Sequence, residues 1–242
     1  MKVALVLTGF MRNWEENYSS VKKEILDKYH PDVYISSYTY SRMYMDQNDR
    51  VEINPKKVIK KYQPKNYLFR EFEDCPGIIF TENGSERFSR DYSVRQLLGW
   101  WTHLLAFNLF NFDDYDIIIK LRTDVAIANF KLHNTRFDEL VLPAWKFHPG
   151  PVSPEEAYVD HIAYGNPFVM AGYFRLFEKM QEMHQKYIDI SCGETLLKVY
   201  IQKYVTSNVH EDKDVDWKGR GGYWASEKAN MFPITPTTVK DE

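Results

Sequence analysis

Tyr115-Asp-Ile-Ile-Ile-Lys-Leu-Arg-Thr-Asp124 is the stretch that decides the fold. Ile117, Ile118 and Ile119 follow one another without a polar break, so a strand here has no face to give to water. Such a strand belongs at the centre of a parallel sheet, covered on both sides. The polarity then reverses: Lys120, Arg122 and Asp124 crowd the carboxyl end. Side chains alternate along a strand, so Arg122 and Asp124 share a side if the extended backbone continues. A buried charge needs a partner, which an Arg–Asp pair supplies. In open α/β sheets this end of the strands is also where ligands bind.

The flanking segments agree with a central strand. Upstream, Val94, Leu97, Leu98, Trp101, Leu104, Leu105 and Leu109 recur at three- and four-residue spacing and predict a helix over 93–110. Residues 2–8 read as a buried strand ended by Gly9, and 14–29 as an amphipathic helix stopped by Pro31. A strand at 32–36, a helix at 54–62 opened by Asn54-Pro55, and a short strand at 67–69 complete the alternation. That order implies an α/β fold with a mostly parallel central sheet, flanking helices and right-handed crossovers. Beyond residue 130 the pattern loosens into short strands at 140–142 and 162–164, a Pro-rich loop between them, and helices at 168–184 and 194–205. Residues 211–242 are polar and Gly/Pro-punctuated and read as a lid or tail, with Gly219, Gly221 and Gly222 as hinges. The chain reads as one domain over 1–242: a nucleotide-binding half (1–125), an acceptor half (126–210) and the lid or tail (211–242).

Composition narrows the function. A net charge of −3 over 242 residues offers no cationic field for a nucleic acid. The 44% hydrophobic share excludes a disordered chain. Aromatics at 16% exceed what a core needs, so some are expected to line a groove for a ring-shaped ligand. Trp145, Phe147 and Tyr158 are candidates for stacking on an acceptor sugar. Cys75 and Cys192 make no disulfide framework and suit a reducing compartment. The apolar opening run ends at Thr8-Gly9, short of a signal-peptide core, and nothing approaches the roughly 20 apolar residues of a membrane span. A cytoplasmic protein without a transmembrane segment is expected.

Two strand ends carry candidate chemistry. In Thr8-Gly9-Phe-Met-Arg12, Gly9 permits close backbone approach and Arg12, at a helix start, can fork onto a phosphate. In Lys120-Leu-Arg122-Thr-Asp124, the carboxylate could take a divalent cation bridging a diphosphate, with Arg122 holding it. Either end also reads blandly, as a strand-ending glycine with a solvated arginine and as a closing ion pair. His103 sits within the long helix, and His30, His133, His148 and His184 have no zinc-ligand spacing. The Gly-rich dinucleotide fingerprint is missing after Gly9, and no Gly-x-Ser-x-Gly elbow is present.

Taken in order, Gly9-Phe-Met-Arg12, the helix opening Ser93-Val-Arg-Gln96 and Tyr115–Asp124 resemble GT-A-type nucleotide-sugar glycosyltransferases. The likeness is to small bacterial and viral enzymes related to capsule and lipopolysaccharide synthesis proteins of the WavE kind. Asp160-His-Ile-Ala-Tyr-Gly165 with Met170, and Gly193-Glu194-Thr-Leu-Leu197, resemble later blocks of the same group. The resemblance implies a GT-A-like, Rossmann-like domain. It implies transfer of a hexosyl or pentosyl group from a nucleotide-diphosphate donor to a glycan hydroxyl, in polysaccharide biosynthesis. By that resemblance Thr8, Gly9, Arg12, Arg95, Gln96, Arg122 and Asp124 contact the donor. Asp124 holds Mn²⁺ or Mg²⁺ with His210 as a second ligand, Glu194 is the preferred base and Asp160 the second candidate. The sequence departs at Lys120-Leu-Arg122, where the first acid of an Asp-x-Asp pair is missing. The competing readings are a non-catalytic glycan- or nucleotide-binding module and another Rossmann-type nucleotide-dependent enzyme.

Overall fold

The computed structural model describes residues 1–42, 50–71, 74–75, 80–81, 84–85, 91–144, 157–179, 183 and 193–218. Strand β1 (Val3–Gly9) is buried along its whole length, as its unbroken apolar sequence requires. The helical stretch after it is continuous but not uniform. It comprises α1 (Trp14–Val21), a π-helical turn over Lys22–Leu26 and α2 (Asp27–Tyr29). In the wide turn Glu24 and Ile25 are both buried, and the Glu24 carboxylate accepts from Lys28 Nζ at 2.7 Å and Phe130 N–H at 3.1 Å. Strand β2 (Asp32–Tyr38) follows, then a hairpin of β3 (Tyr40–Arg42) and β4 (Arg50–Glu52). Helix α3 (Pro55–Tyr62) opens as Asn54-Pro55 predicts: the Asn54 side chain accepts from Lys56 N–H at 3.1 Å and Lys57 N–H at 3.4 Å.

Edge strand β5 (Asn66–Arg70) and a second hairpin, β6 (Phe80–Thr81) with β7 (Gly84–Ser85), lead to α4 (Asp91–Phe107). The deciding stretch forms β8 (Ile117–Arg122), and short β9 (Ala126–Ala128) follows. Strands β10 (Leu140–Pro143) and β11 (Ile162–Gly165) come next, and Asn166 caps α5 (Pro167–Phe174). Helix α6 (Gly193–Tyr200) ends in a π turn over Ile201–Val205, before β12 (Val209–Asp212) and β13 (Asp216–Lys218).

Seven strands form the main sheet in the order β12-β10-β11-β8-β1-β2-β5. The β5-β2-β1-β8 portion is parallel throughout, and β10 and β12 are parallel to each other. Strand β11 alone runs against its neighbours β8 and β10. One apolar layer joins Ala4, Val6, Ile118 and Ala163 to aromatics from α4 and α5, among them Trp100, Tyr173 and Phe174. The opposite layer packs Leu5, Leu7, Ile119 and Leu121 against Trp14, Val21 and Ile25. Residues 211–218, the start of the segment read as lid or tail, contribute to strands: β12 closes the main sheet's edge and β13 pairs with β9. The proposed hinge glycines Gly219, Gly221 and Gly222, together with Trp145 and Phe147, lie outside the described residues. No helix among the described residues is long and apolar enough to cross a membrane.

Candidate active site

Three chain segments meet at the carboxyl end of β1 and β8. These strands pair through Thr8 and Arg122, so the turns after them lie side by side. Thr123 ties them, its N–H donating to the Thr8 carbonyl at 3.3 Å and its hydroxyl to the Phe10 carbonyl at 2.5 Å. The third segment is the entry to β11. Because β11 is reversed, it begins where β8 ends, and Arg122 N–H donates to the His161 carbonyl at 2.9 Å.

The Arg122 guanidinium organises the junction. Its Nε and Nη2 each donate at 2.9 Å to the two oxygens of Asp124, a bidentate pair, and its Nη1 donates to Asp160 Oδ1 at 2.8 Å. Arg12, from the turn after β1, donates from Nη2 to Asp124 Oδ2 at 2.7 Å. Arg12, Asp124, Arg122 and Asp160 thus form one chain of alternating charge. Beneath them Lys120 is fully buried and donates to the Asp160 backbone carbonyl.

Burial and charge set the protonation states. Burial pushes the Asp124 carboxyl up, but Arg122 and Arg12 outweigh it and bring its pKa down to about 2. Asp160 is likewise raised by burial and then held far below the usual carboxylate range by Arg122 and Lys120. Burial lowers Lys120 to about 8, against the pull of Asp160. His161 is brought down to about 3 by burial and by Arg122, and His103 falls well below its usual value through burial and Lys120. Both imidazoles are therefore neutral at pH 7. A carboxylate as acidic as Asp160 is a weak proton acceptor, and its Oδ1 is tied to Arg122.

Gly9 has φ +90°, a conformation that excludes ordinary side chains, and a Cβ there would meet no described atom within 4 Å. Its N–H donates to Thr102 Oγ1 on α4 at 2.9 Å, and its carbonyl accepts from Ser37 Oγ at 2.6 Å. The glycine leaves the backbone uncovered by a side chain at the strand end. Thr8 is fully buried, and its hydroxyl has no hydrogen-bond partner among the described residues. On α4, buried His103 stacks on Tyr173 at 5.7 Å. From the small ribbon, Trp217 covers His161 with ring centroids 4.1 Å apart.

The structure therefore unites Thr8, Gly9, Arg12, Arg122, Asp124 and Asp160. Arg95 and Gln96 lie on α4, with side chains outside the described residues. Glu194 lies in the first turn of α6, and its carbonyl accepts from Tyr158 N–H at 3.1 Å, two residues before Asp160. His210 is not brought to Asp124. It is exposed on β12, and its strand register runs through Val141 and Tyr164 to Ile119. That is three strands, roughly 14 Å, across the sheet from β8 and below its carboxyl end. Lys120, His161, Thr102 and Trp217 belong to the junction although their role was not read from the sequence. The signal for Lys120 was its place between Ile118 and Arg122 on a strand with both faces covered.

The donor set does not fit a divalent cation. Both Asp124 oxygens accept from guanidinium groups, and among the described residues no three or more His, Cys, Asp or Glu side chains gather as ligands.

No protein-family model and no curated protein matches the chain. Solved structures do share its fold. A galactosyltransferase, LgtC, in complex with donor and acceptor sugar analogs aligns with 86% of this chain and 72% of its own at 10% identity, TM-score 0.51. Core-mannan synthase A from Aspergillus fumigatus, in an Mn/GDP form, aligns with 100% of this chain and 79% of its own at 10% identity, TM-score 0.52. The mostly parallel seven-stranded sheet with flanking helices is the GT-A fold.

Proposed function

We propose that this chain transfers a sugar from a nucleotide-diphosphate donor to a hydroxyl of a glycan acceptor. The observation that carries the reading is the Arg12–Asp124–Arg122–Asp160 chain at the carboxyl ends of β1 and β8. Ionic groups held at that depth are a stability liability unless they meet a charged ligand. A GT-A sheet presents them where a ligand binds. Arg12 and Arg122 face the charge that builds on the departing diphosphate. Asp124 and Asp160 fix the guanidinium planes, and Gly9 lets the donor approach the backbone. Glu194 is the proposed base that takes the acceptor hydroxyl's proton as it attacks the anomeric carbon. The narrower kinship with enzymes of the WavE kind, the polysaccharide product and the hexosyl or pentosyl choice rest on the sequence blocks.

A Mn²⁺ or Mg²⁺ ion was expected at Asp124, and the synthase neighbour is in an Mn/GDP form. The described residues do not offer that ion a site, so no step is assigned to it. A cytoplasmic setting is part of the proposal, in keeping with the free, buried thiol of Cys75.

The test is a panel of nucleotide sugars followed by release of the nucleoside diphosphate, with and without glycan acceptors. One donor should raise the unfolding midpoint and be turned over faster with an acceptor present. Glu194→Gln should lower kcat by about 100-fold or more while donor affinity is kept. Donor binding without turnover under any condition would reduce the chain to a binding module.

A further inference from the structure

We propose that the donor diphosphate is neutralised by Arg12 and Arg122 directly, without a divalent cation between it and Asp124. This rests on the transferase reading above and concerns the same site.

Geometry carries the inference. Asp124 Oδ1 accepts from Arg122 Nε, and Oδ2 from Arg122 Nη2 and Arg12 Nη2, all at 2.7–2.9 Å. A cation at ordinary metal–oxygen distance, about 2.0–2.6 Å, would have to displace these N–H groups and then sit beside two permanent positive charges. Asp160 is engaged as well: its Oδ1 accepts from Arg122 and its backbone carbonyl from Lys120. The nearby imidazole, His161, has its ring against Trp217, and His210 lies across the sheet.

Charge points the same way. Arg12, Arg122 and buried Lys120 bring three cationic side chains to the junction around Asp124 and Asp160. Such a centre repels a free cation and attracts a phosphate. Arg122 is suited to the contact. Three of its five N–H groups are spent on carboxylates, which leaves one on each Nη, and its side chain is 26% exposed. The carboxylates fix the plane of the fork, and its outer edge meets the diphosphate.

The experiment uses the whole wild-type chain. Uridine, guanosine, adenosine, cytidine and thymidine diphosphates are titrated calorimetrically in excess EDTA and, separately, in Mn²⁺. At least one is expected to bind in EDTA with a Kd within about threefold of its value in Mn²⁺. Mn²⁺ alone, added to the protein, should keep its free-ion EPR signal. Arg12→Gln should weaken the diphosphate about tenfold and leave the matching uncharged nucleoside unaffected, a split that a merely structural role would not produce. Binding that appears only with Mn²⁺, or is more than about tenfold tighter with it, overturns this inference and leaves the transferase reading standing. Failure of every diphosphate in both buffers removes the transferase reading and this inference with it.

Discussion

At the scale of residues, the site is a balance between buried charges, and its stability depends on pH in two separate windows. Asp124 has a folded pKa of about 2, below its unfolded value. Its contribution is therefore complete above the unfolded value of about 4 and disappears as pH falls through 2; the shift corresponds to about 2 kcal/mol. Unfolding free energy measured against pH should hold steady above about pH 5 and fall below it, and Asp124→Asn should flatten that limb. The same variant should cost about 3 kcal/mol at pH 7, because two guanidiniums lose their counter-charge. Lys120 is also shifted down, so its slope has the same sign, but at pH 7 its shift costs stability where that of Asp124 adds it. Its folded pKa, about 8, is lower than its unfolded one. Between about pH 8 and 10.4 the unfolded chain binds more protons and stability rises. Lys120→Met should abolish that rise and add about 1–3 kcal/mol at pH 7 in urea unfolding, while weakening diphosphate affinity. Arg122, Asp124 and Asp160 were legible as single charged residues beside an apolar run. That Arg12 reaches Asp124, 112 positions away, was not, since sequence periodicity reports only local faces.

At the scale of elements, legibility followed length and chemistry. The unbroken apolar strands and the Asn54-Pro55 helix start were readable because each carries its own local cause. The π turns were not, since one extra residue per turn leaves the apolar spacing almost unchanged. Strands β9, β12 and β13 escaped because three or four residues give no period to detect, and half of β12 is exposed. The turn after β1 offers a direct measurement. Gly9 is required by its φ of +90° and not by lack of room, so Gly9→Ala should destabilise the fold by about 1–2 kcal/mol in chemical denaturation. A larger loss would mean that a neighbouring contact breaks as well.

At the scale of the molecule, the α/β layout followed from the first half of the chain, and the reversed strand did not. No local pattern in the sequence marks β11 as antiparallel. Its reversal nevertheless builds the site, because it sets Asp160 at the end of β8 that carries Arg122. Residues 209–218 are structural in the same sense. A chain ending at Asn208 would leave the buried strand β10 with an open edge, and should lose near-UV circular dichroism and partition into the insoluble fraction. The sheet order also has a consequence for synthesis. Strand β1 pairs with β2 on one side and with β8 on the other. On the ribosome β2 emerges soon after β1, but β8 follows more than a hundred residues later, a wait of roughly 5–20 seconds at usual elongation rates. Throughout that interval this apolar, fully buried strand offers an unpaired edge to any other nascent copy. Soluble yield should therefore depend on holdase chaperones that shield β1 until residue 122 has left the exit tunnel.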